Sequence, residues 1–131
     1  MKRWKGKKGD LWQVFSIYIR KRDCFKYGRC VSCNKEIEWN KCDAGHFVAV
    51  TGSPLKLIFD ERNVNAQCKR CNHPHYSGKE VGYIYSLELD RRWGKGTAKK
   101  LFQIKRESQG PWSDLEYKRL IAHYKQKIAE L

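Results

Sequence analysis

The stretch "NVNAQCKRCN", residues 63–72, sets two cysteines, Cys68 and Cys71, two residues apart. A second pair with the same gap, Cys30 and Cys33 in "CVSC", lies upstream, with 34 residues between the pairs. A two-residue gap lets both thiolates of a pair reach one tetrahedral zinc, so two such pairs can close a four-sulfur structural site. Arg29, Lys35, Lys69 and Arg70 stand beside them. Positive charge there favours ionised thiolates and partly offsets an anionic zinc centre. Two disulfides or free core thiols are the competing readings. Cys24 and Cys42 are left over as small apolar residues for the interior, although Cys42 is near enough in sequence for a ligand swap.

Working outward, the segment between the pairs reads as two short strands around a loop, followed by a helical turn. The first strand carries "CDAGHF" (residues 42–47) with His46 on it. Gly52-Ser53-Pro54 marks a turn, and Leu55, Leu57 and Phe59 then alternate with Lys56 and Ile58 as a strand would. A helical turn at the second cysteine pair should stop by His73, because Pro74 disfavours helix in the residue before it. On its own, His46 reads as a core histidine satisfied by a backbone hydrogen bond.

Beyond this unit the chain is helical. Asp10 with Gln13 suggests a capping box for a helix whose Leu11, Val14, Phe15 and Tyr18 share a face, and residues 1–9 read as a basic flexible arm. Ser77 with Glu80 would cap a helix bearing Val81, Ile84, Tyr85 and Leu89 and ending near Trp93-Gly94. Thr97–Lys105 predicts a shorter helix. Ser113 with Glu116 would cap a last amphipathic helix carrying Leu115, Leu120, Ile121, Tyr124 and Ile128. The expected organisation is one α+β domain over 10–131, with a zinc-bearing core at 26–76 and a helical part at 77–131.

Composition agrees with one small domain. The chain has 131 residues, 40% of them hydrophobic, which fills one modest core. Its 28 Lys and Arg exceed its 14 Asp and Glu, a net charge of +14 that points to a polyanionic partner over a merely solvated surface. The longest apolar run, Val14 to Ile19, is too short for a membrane span or a signal core, so a soluble intracellular protein is expected.

The order His46, Asn63, Asn72 around the cysteine pairs resembles the HNH, or ββα-metal, endonucleases. More closely, "CVSC", "AGHF", "NVNAQCKRCN" and "SGK" resemble the ordered motifs of the NinG (Rap) family of phage recombination endonucleases, and the likeness runs from Asp10 to the C-terminal "HYKQKIAEL". The resemblance implies a zinc-stabilised HNH-like core with flanking N-terminal and C-terminal helices. It implies His46 as general base, Asn63 as a brace of the hairpin after the second strand, Asn72 as a metal ligand, and Cys30, Cys33, Cys68 and Cys71 as zinc ligands. Many HNH enzymes carry a metal-binding acid or histidine just before the base, where this chain has Gly45. Asp43, two residues upstream on the same strand face, is the expected substitute. Family members are also expected to carry a cysteine-containing N-terminal segment that precedes the part matched here.

Two function classes follow. One is a DNA endonuclease dependent on Mg²⁺ or Mn²⁺ that cleaves branched recombination intermediates such as Holliday junctions and D-loops, in a bacterial host cytoplasm and alongside phage recombination proteins. Symmetric junction cutting would call for a homodimer, with the C-terminal helix as its contact. The other is a non-catalytic zinc-stabilised module that binds nucleic acid. For either, Lys79, Arg91, Arg92, Lys95, Lys99 and Lys100 are the expected backbone contacts, against a reading of them as wet helix faces. His73 and His75 suit a second ligand or a phosphate contact, or plain loop positions.

Overall fold

The structure, a computed structural model, describes residues 3–76 and 78–131. It combines a two-stranded sheet with six helices among those residues: α1 (Gly6–Lys26), β1 (Asp43–His46), α2 (Leu55–Ile58), β2 (Val64–Gln67), α3 (Lys69–Asn72), α4 (Lys79–Trp93), α5 (Thr97–Lys105) and α6 (Asp114–Ala129). The class is α+β, as expected.

Helix α1 is the spine. Leu11, Phe15, Tyr18 and Ile19 recur at helical spacing and are buried against Ala44, Ile58, Phe59, Val64 and Tyr124. Each such side chain contributes about 1.5–3 kcal/mol by leaving water. The helix starts at Gly6, ahead of Asp10, with Lys5 at its N-cap and no side-chain cap bond there. It closes on Gly28, whose φ of 66° lets the turning chain donate its N–H back to the Asp23 carbonyl at 3.1 Å.

The hairpin is antiparallel, with Asp43 opposite Gln67, Ala44 opposite Ala66, Gly45 opposite Asn65, and His46 opposite Val64. Its second strand is not the predicted one. Residues 55–58 form the short helix α2, with Pro54 at its N-cap and Leu57, Ile58 and Phe59 buried in succession. A strand would bury alternate residues; three consecutive buried ones suit a turn of helix wedged between two core clusters. The true partner, Val64–Gln67, is buried on both faces despite its polar residues. Asn63 therefore precedes the second strand instead of following it.

Polar bonds make that buried strand tolerable. Asp23, 1% exposed, accepts from the Ala66 N–H at 2.7 Å and from Arg22 at 2.7 Å, while Arg22 also donates to the carbonyls of Glu61 and Val64. These bonds fasten the end of α1 to β2.

A second cluster joins Val31, Val48 and Leu57 to Tyr85 and Leu89 of α4 and Leu101 and Ile104 of α5. Ile84, predicted for the same face of α4, is exposed. Helix α4 has Gly78 at its N-cap with no side-chain cap bond, and the predicted Ser77 cap lies outside the described residues. Helix α6 has the full capping box between Ser113 and Glu116. Its apolar stripe lies on α1, with Tyr124 edge-on to Phe15 at 4.9 Å. Of the helix expected to make a dimer contact, Leu120, Ile121, Tyr124 and Ile128 are thus packed within the chain, while Leu115 is exposed. Among the described residues no helix is long and apolar enough to cross a membrane.

Candidate functional site

The four predicted cysteines meet. Their sulfurs all lie within 4.8 Å of one another, and the Sγ atoms of Cys33 and Cys68 are 3.8 Å apart. A tetrahedral zinc with Zn–S bonds of about 2.3 Å separates its sulfurs by about 3.8 Å, so the spacing fits this ion. Both cysteine pairs sit in turns. Asn34, at a φ of 64°, donates its N–H to the Cys30 carbonyl at 3.0 Å, and α3 starts from Cys68, whose sulfur accepts from the Cys71 N–H. The Cys30 sulfur likewise accepts from the N–H groups of Ser32 and Cys68 at 3.4 and 3.3 Å. Burial, with the neighbouring sulfurs behind it, holds the Cys30 and Cys71 thiols above their ordinary range. A dication at the centre of the cluster relieves that penalty by stabilising the thiolates.

Cys24 and Cys42 pair elsewhere, with sulfurs 3.8 Å apart, and burial pushes the Cys42 thiol up to about 12. Neither belongs to the four-sulfur cluster.

Asp43 and Asn72 also meet. The Asn72 Nδ2 donates to Asp43 Oδ2 at 3.1 Å, and Lys69 donates to Asp43 Oδ1 at 2.8 Å. They line a polar cleft of about 340 Å³ together with Arg3, Trp12, Arg20 and Lys69. Gly45 explains the missing residue before the histidine. A Cβ there would clash with Gln67 Oε1 and lie 3.0 Å from Asn72 Oδ1, so any other residue would have to push the Gln67 amide aside. The Gly45 carbonyl is held in turn by the Tyr85 hydroxyl at 2.6 Å.

His46 ends β1, half-buried. Its Nε2 bonds the Ile58 carbonyl at 2.9 Å, and its ring stacks on the Trp12 indole at 5.1 Å and 21°. A carbonyl only accepts, so the neutral ring carries its proton on Nε2 and leaves the Nδ1 lone pair uncommitted to that bond. Burial, aided by the Arg3 charge, lowers the pKa of His46 to about 4 although the Ile58 carbonyl opposes the shift. His46 does not itself line the cleft of Asp43 and Asn72; Trp12, which covers its ring, does.

Asn63 is fully buried and spans the loop between the strands. Its Oδ1 accepts from the Val48 N–H at 2.8 Å, and its Nδ2 donates to the carbonyls of Val48 and Leu57, each at 3.1 Å. Its own carbonyl accepts from the Phe47 N–H at 2.9 Å, next to His46.

The predicted contact cations separate into two groups. Lys79, Lys95, Lys99 and Lys100 are exposed, and so is Arg91, which is tied to Glu88 at 2.8 Å. Arg92 is a correction: its side chain is 3% exposed, lies 3.9 Å over the Tyr27 ring and pairs with Glu88, so no phosphate backbone reaches it. His73 and His75 are exposed, with ring centroids 5.2 Å apart, and neither lines the cleft. Trp12, Arg3 and Arg20 carry no such signal, because nothing in the sequence of α1 and its approach tells a cleft-lining residue from a core or surface one. Tyr85 reads only as a core residue, since a periodic pattern does not reveal where a hydroxyl is aimed.

Comparison with known proteins matches the chain to one family. The family model described as Bacteriophage Lambda NinG protein matches residues 1–131. Protein ninG of Escherichia phage lambda is 33% identical over 121 residues, covering 91% of this chain and 54% of that protein. Protein ninG of Escherichia phage 933W is 33% identical over the same length, covering 91% of this chain and 55% of the relative, and that of Salmonella phage P22 is also 33% identical, at 91% and 54%. The chain thus spans about half the length of the curated relatives it matches. No solved structure matches. By the family match over its whole length and by these relatives, the chain belongs to the NinG family.

Proposed function

We propose that this chain is a metal-dependent DNA endonuclease with an HNH-type core, acting on branched recombination intermediates such as Holliday junctions and D-loops. The observation that carries the reading is the bond from His46 Nε2 to the Ile58 carbonyl, which fixes the tautomer with an unprotonated Nδ1 able to accept. His46 takes a proton from the attacking water at Nδ1. Asn63, through four bonds across the loop, keeps the strand end and its histidine in place. The Asp43 carboxylate and, with its amide turned from the present Nδ2 bond to Asp43, the Asn72 oxygen are hard donors suited to Mg²⁺ or Mn²⁺, ions that keep several waters and need few protein ligands. Such an ion, when bound, supplies positive charge to the scissile phosphate and the leaving 3′ oxygen. Arg3, Arg20 and Lys69 add cationic charge around the same cleft. Branch preference rests on the family likeness. A dimer that cuts both strands of a junction would have to use a surface other than the α1-facing stripe of α6.

A second reading has its own observation. The stacking of His46 on Trp12 and its lowered pKa also suit a neutral structural histidine in a zinc-stabilised nucleic-acid-binding module. Incubating a labelled four-way junction with Mg²⁺ or Mn²⁺ decides between the two. The endonuclease reading expects cleavage by the wild type, and in His46→Ala a loss of about 10²-fold or more with junction binding retained. No wild-type cleavage with either ion would leave the binding module as the function.

A further inference from the structure

A wide concavity lies beside the cysteine cluster, away from the sequence-predicted helical cations. A groove of about 730 Å³ runs there, lined by Arg29, Lys35, Lys41, Lys69 and Arg70 and by the carboxylates of Glu36 and Glu38. Lys69 also lines the cleft of Asp43 and Asn72, so the two depressions meet at one lysine. We infer that the phosphate backbone of a DNA duplex arm lies along this groove and enters the Asp43 cleft at Lys69.

Three features favour it. First, five cations face two carboxylates, and those carboxylates are themselves occupied: Glu36 pairs with Arg29 at 3.6 Å and Glu38 with Lys41 at 3.2 Å. Such exposed pairs are worth little and yield to phosphate oxygens. Second, positive charge continues into the cleft, which Arg20 and Arg3 line together with Lys69. Third, the alternative surface on α4 is weaker than its sequence suggests, because the Arg92 side chain is buried. Neutralising zinc thiolates accounts for cations next to the sulfurs. It does not account for Lys41, or for the arginines of the adjoining cleft.

The inference rests on the nucleic-acid part of the proposed function and not on its chemistry. Anisotropy of a fluorescein-labelled duplex and four-way junction, titrated with zinc-loaded protein and no added divalent cation, tests it whether or not the protein cleaves. Lys35→Glu with Lys41→Glu should weaken binding by about tenfold or more and make the slope of log K against log salt shallower by about 2, near 0.9 for each phosphate no longer neutralised. Lys99→Glu with Lys100→Glu should weaken it less than about threefold. Zinc content and far-ultraviolet circular dichroism accompany each variant, and Lys35→Ala with Lys41→Ala replaces the charge reversal should it fail to fold. The inference is overturned if the groove variant binds within twofold of wild type, if the Lys99 and Lys100 variant is weakened more, if the groove variant loses zinc instead of affinity, or if the wild type binds neither DNA at low salt.

Discussion

The burial of His46 ties stability to pH and, on the proposed function, ties chemistry to it as well. Its pKa falls from the ordinary 6.5 to about 4 on folding, mainly through burial, so between those values the unfolded chain binds a proton that the folded chain does not. The sign follows: this histidine's contribution is complete above pH 6.5 and is lost as pH falls through the window toward 4. The loss between pH 7 and pH 5 should be on the order of 2 kcal/mol. Urea unfolding at the two pH values, for wild type and His46→Gln, measures it; an equal pH slope in both proteins would show that the histidine does not carry the effect. The same depression keeps the imidazole in its basic form, so the acid limb of cleavage should fall below pH 6.5. Asn63 makes a simpler case. Asn63→Ala strips partners from the buried Val48 amide and carbonyl, while the Leu57 carbonyl keeps the Asp60 N–H, and at about 1–3 kcal/mol for a stranded buried group it should cost about 2 kcal/mol or more in chemical unfolding. A cost under about 1 kcal/mol would mean that water reaches the loop and that Asn63 is no brace.

Among the elements, those built on periodicity and capping were legible. Helix α5 spans the predicted Thr97–Lys105, and α6 begins at the Ser113 and Glu116 box, because a local pattern fixes them and their neighbours agree. The second strand was hidden for the opposite reason. Val64–Gln67 has only one large apolar residue, and what buries it is the distant Asp23, 43 positions away from its bonding partner Ala66. No window of sequence contains that pairing. The site divides the same way: Cys30, Cys33, Cys68 and Cys71 announce themselves by spacing, whereas the placing of Trp12 against His46 depends on how α1 crosses the sheet. The Asp23 contact also gives the element-scale prediction. Asp23→Ala should destabilise the chain by about 3 kcal/mol or more, since it frees the buried Ala66 amide and takes from Arg22 its nearest carboxylate, leaving Glu61 at 3.8 Å. Truncating both residues, Arg22→Met with Asp23→Ala, should recover part of that stability in thermal unfolding. If the double variant is as unstable as the sum of the single ones, the two residues do not act as a pair.

Across the whole molecule, the cysteine cluster stands in for a core. Among the described residues Cys30, Cys68 and Cys71 have Ile37 and Val81 packed against them, and Val31 alone carries residues 28–42 into the second apolar cluster, little apolar surface to order a stretch that holds one isolated bridge between Arg29 and Glu36 and a single 3₁₀ turn. The α1 and α6 pair has its own apolar contacts and no dependence on sulfur. Zinc should therefore be present at one ion per chain and should survive a mild chelator that abolishes cleavage, because a closed four-thiolate site holds its ion far more tightly than two oxygen donors do. A thiol-directed mercurial should release it. Hydrogen exchange should then show protection disappearing over residues 28–41 and 68–72 while α1 and α6 keep theirs. Since the buried thiols Cys30 and Cys71 sit above the usual thiol range, zinc must displace their protons, and its affinity should fall as pH is lowered. Atomic absorption with peptide-resolved exchange checks each step. Well under one zinc per chain in purified protein, or unchanged exchange at residues 28–41 once it is stripped, would mean that these cysteines pack as ordinary thiols and that something other than a metal orders the hairpin.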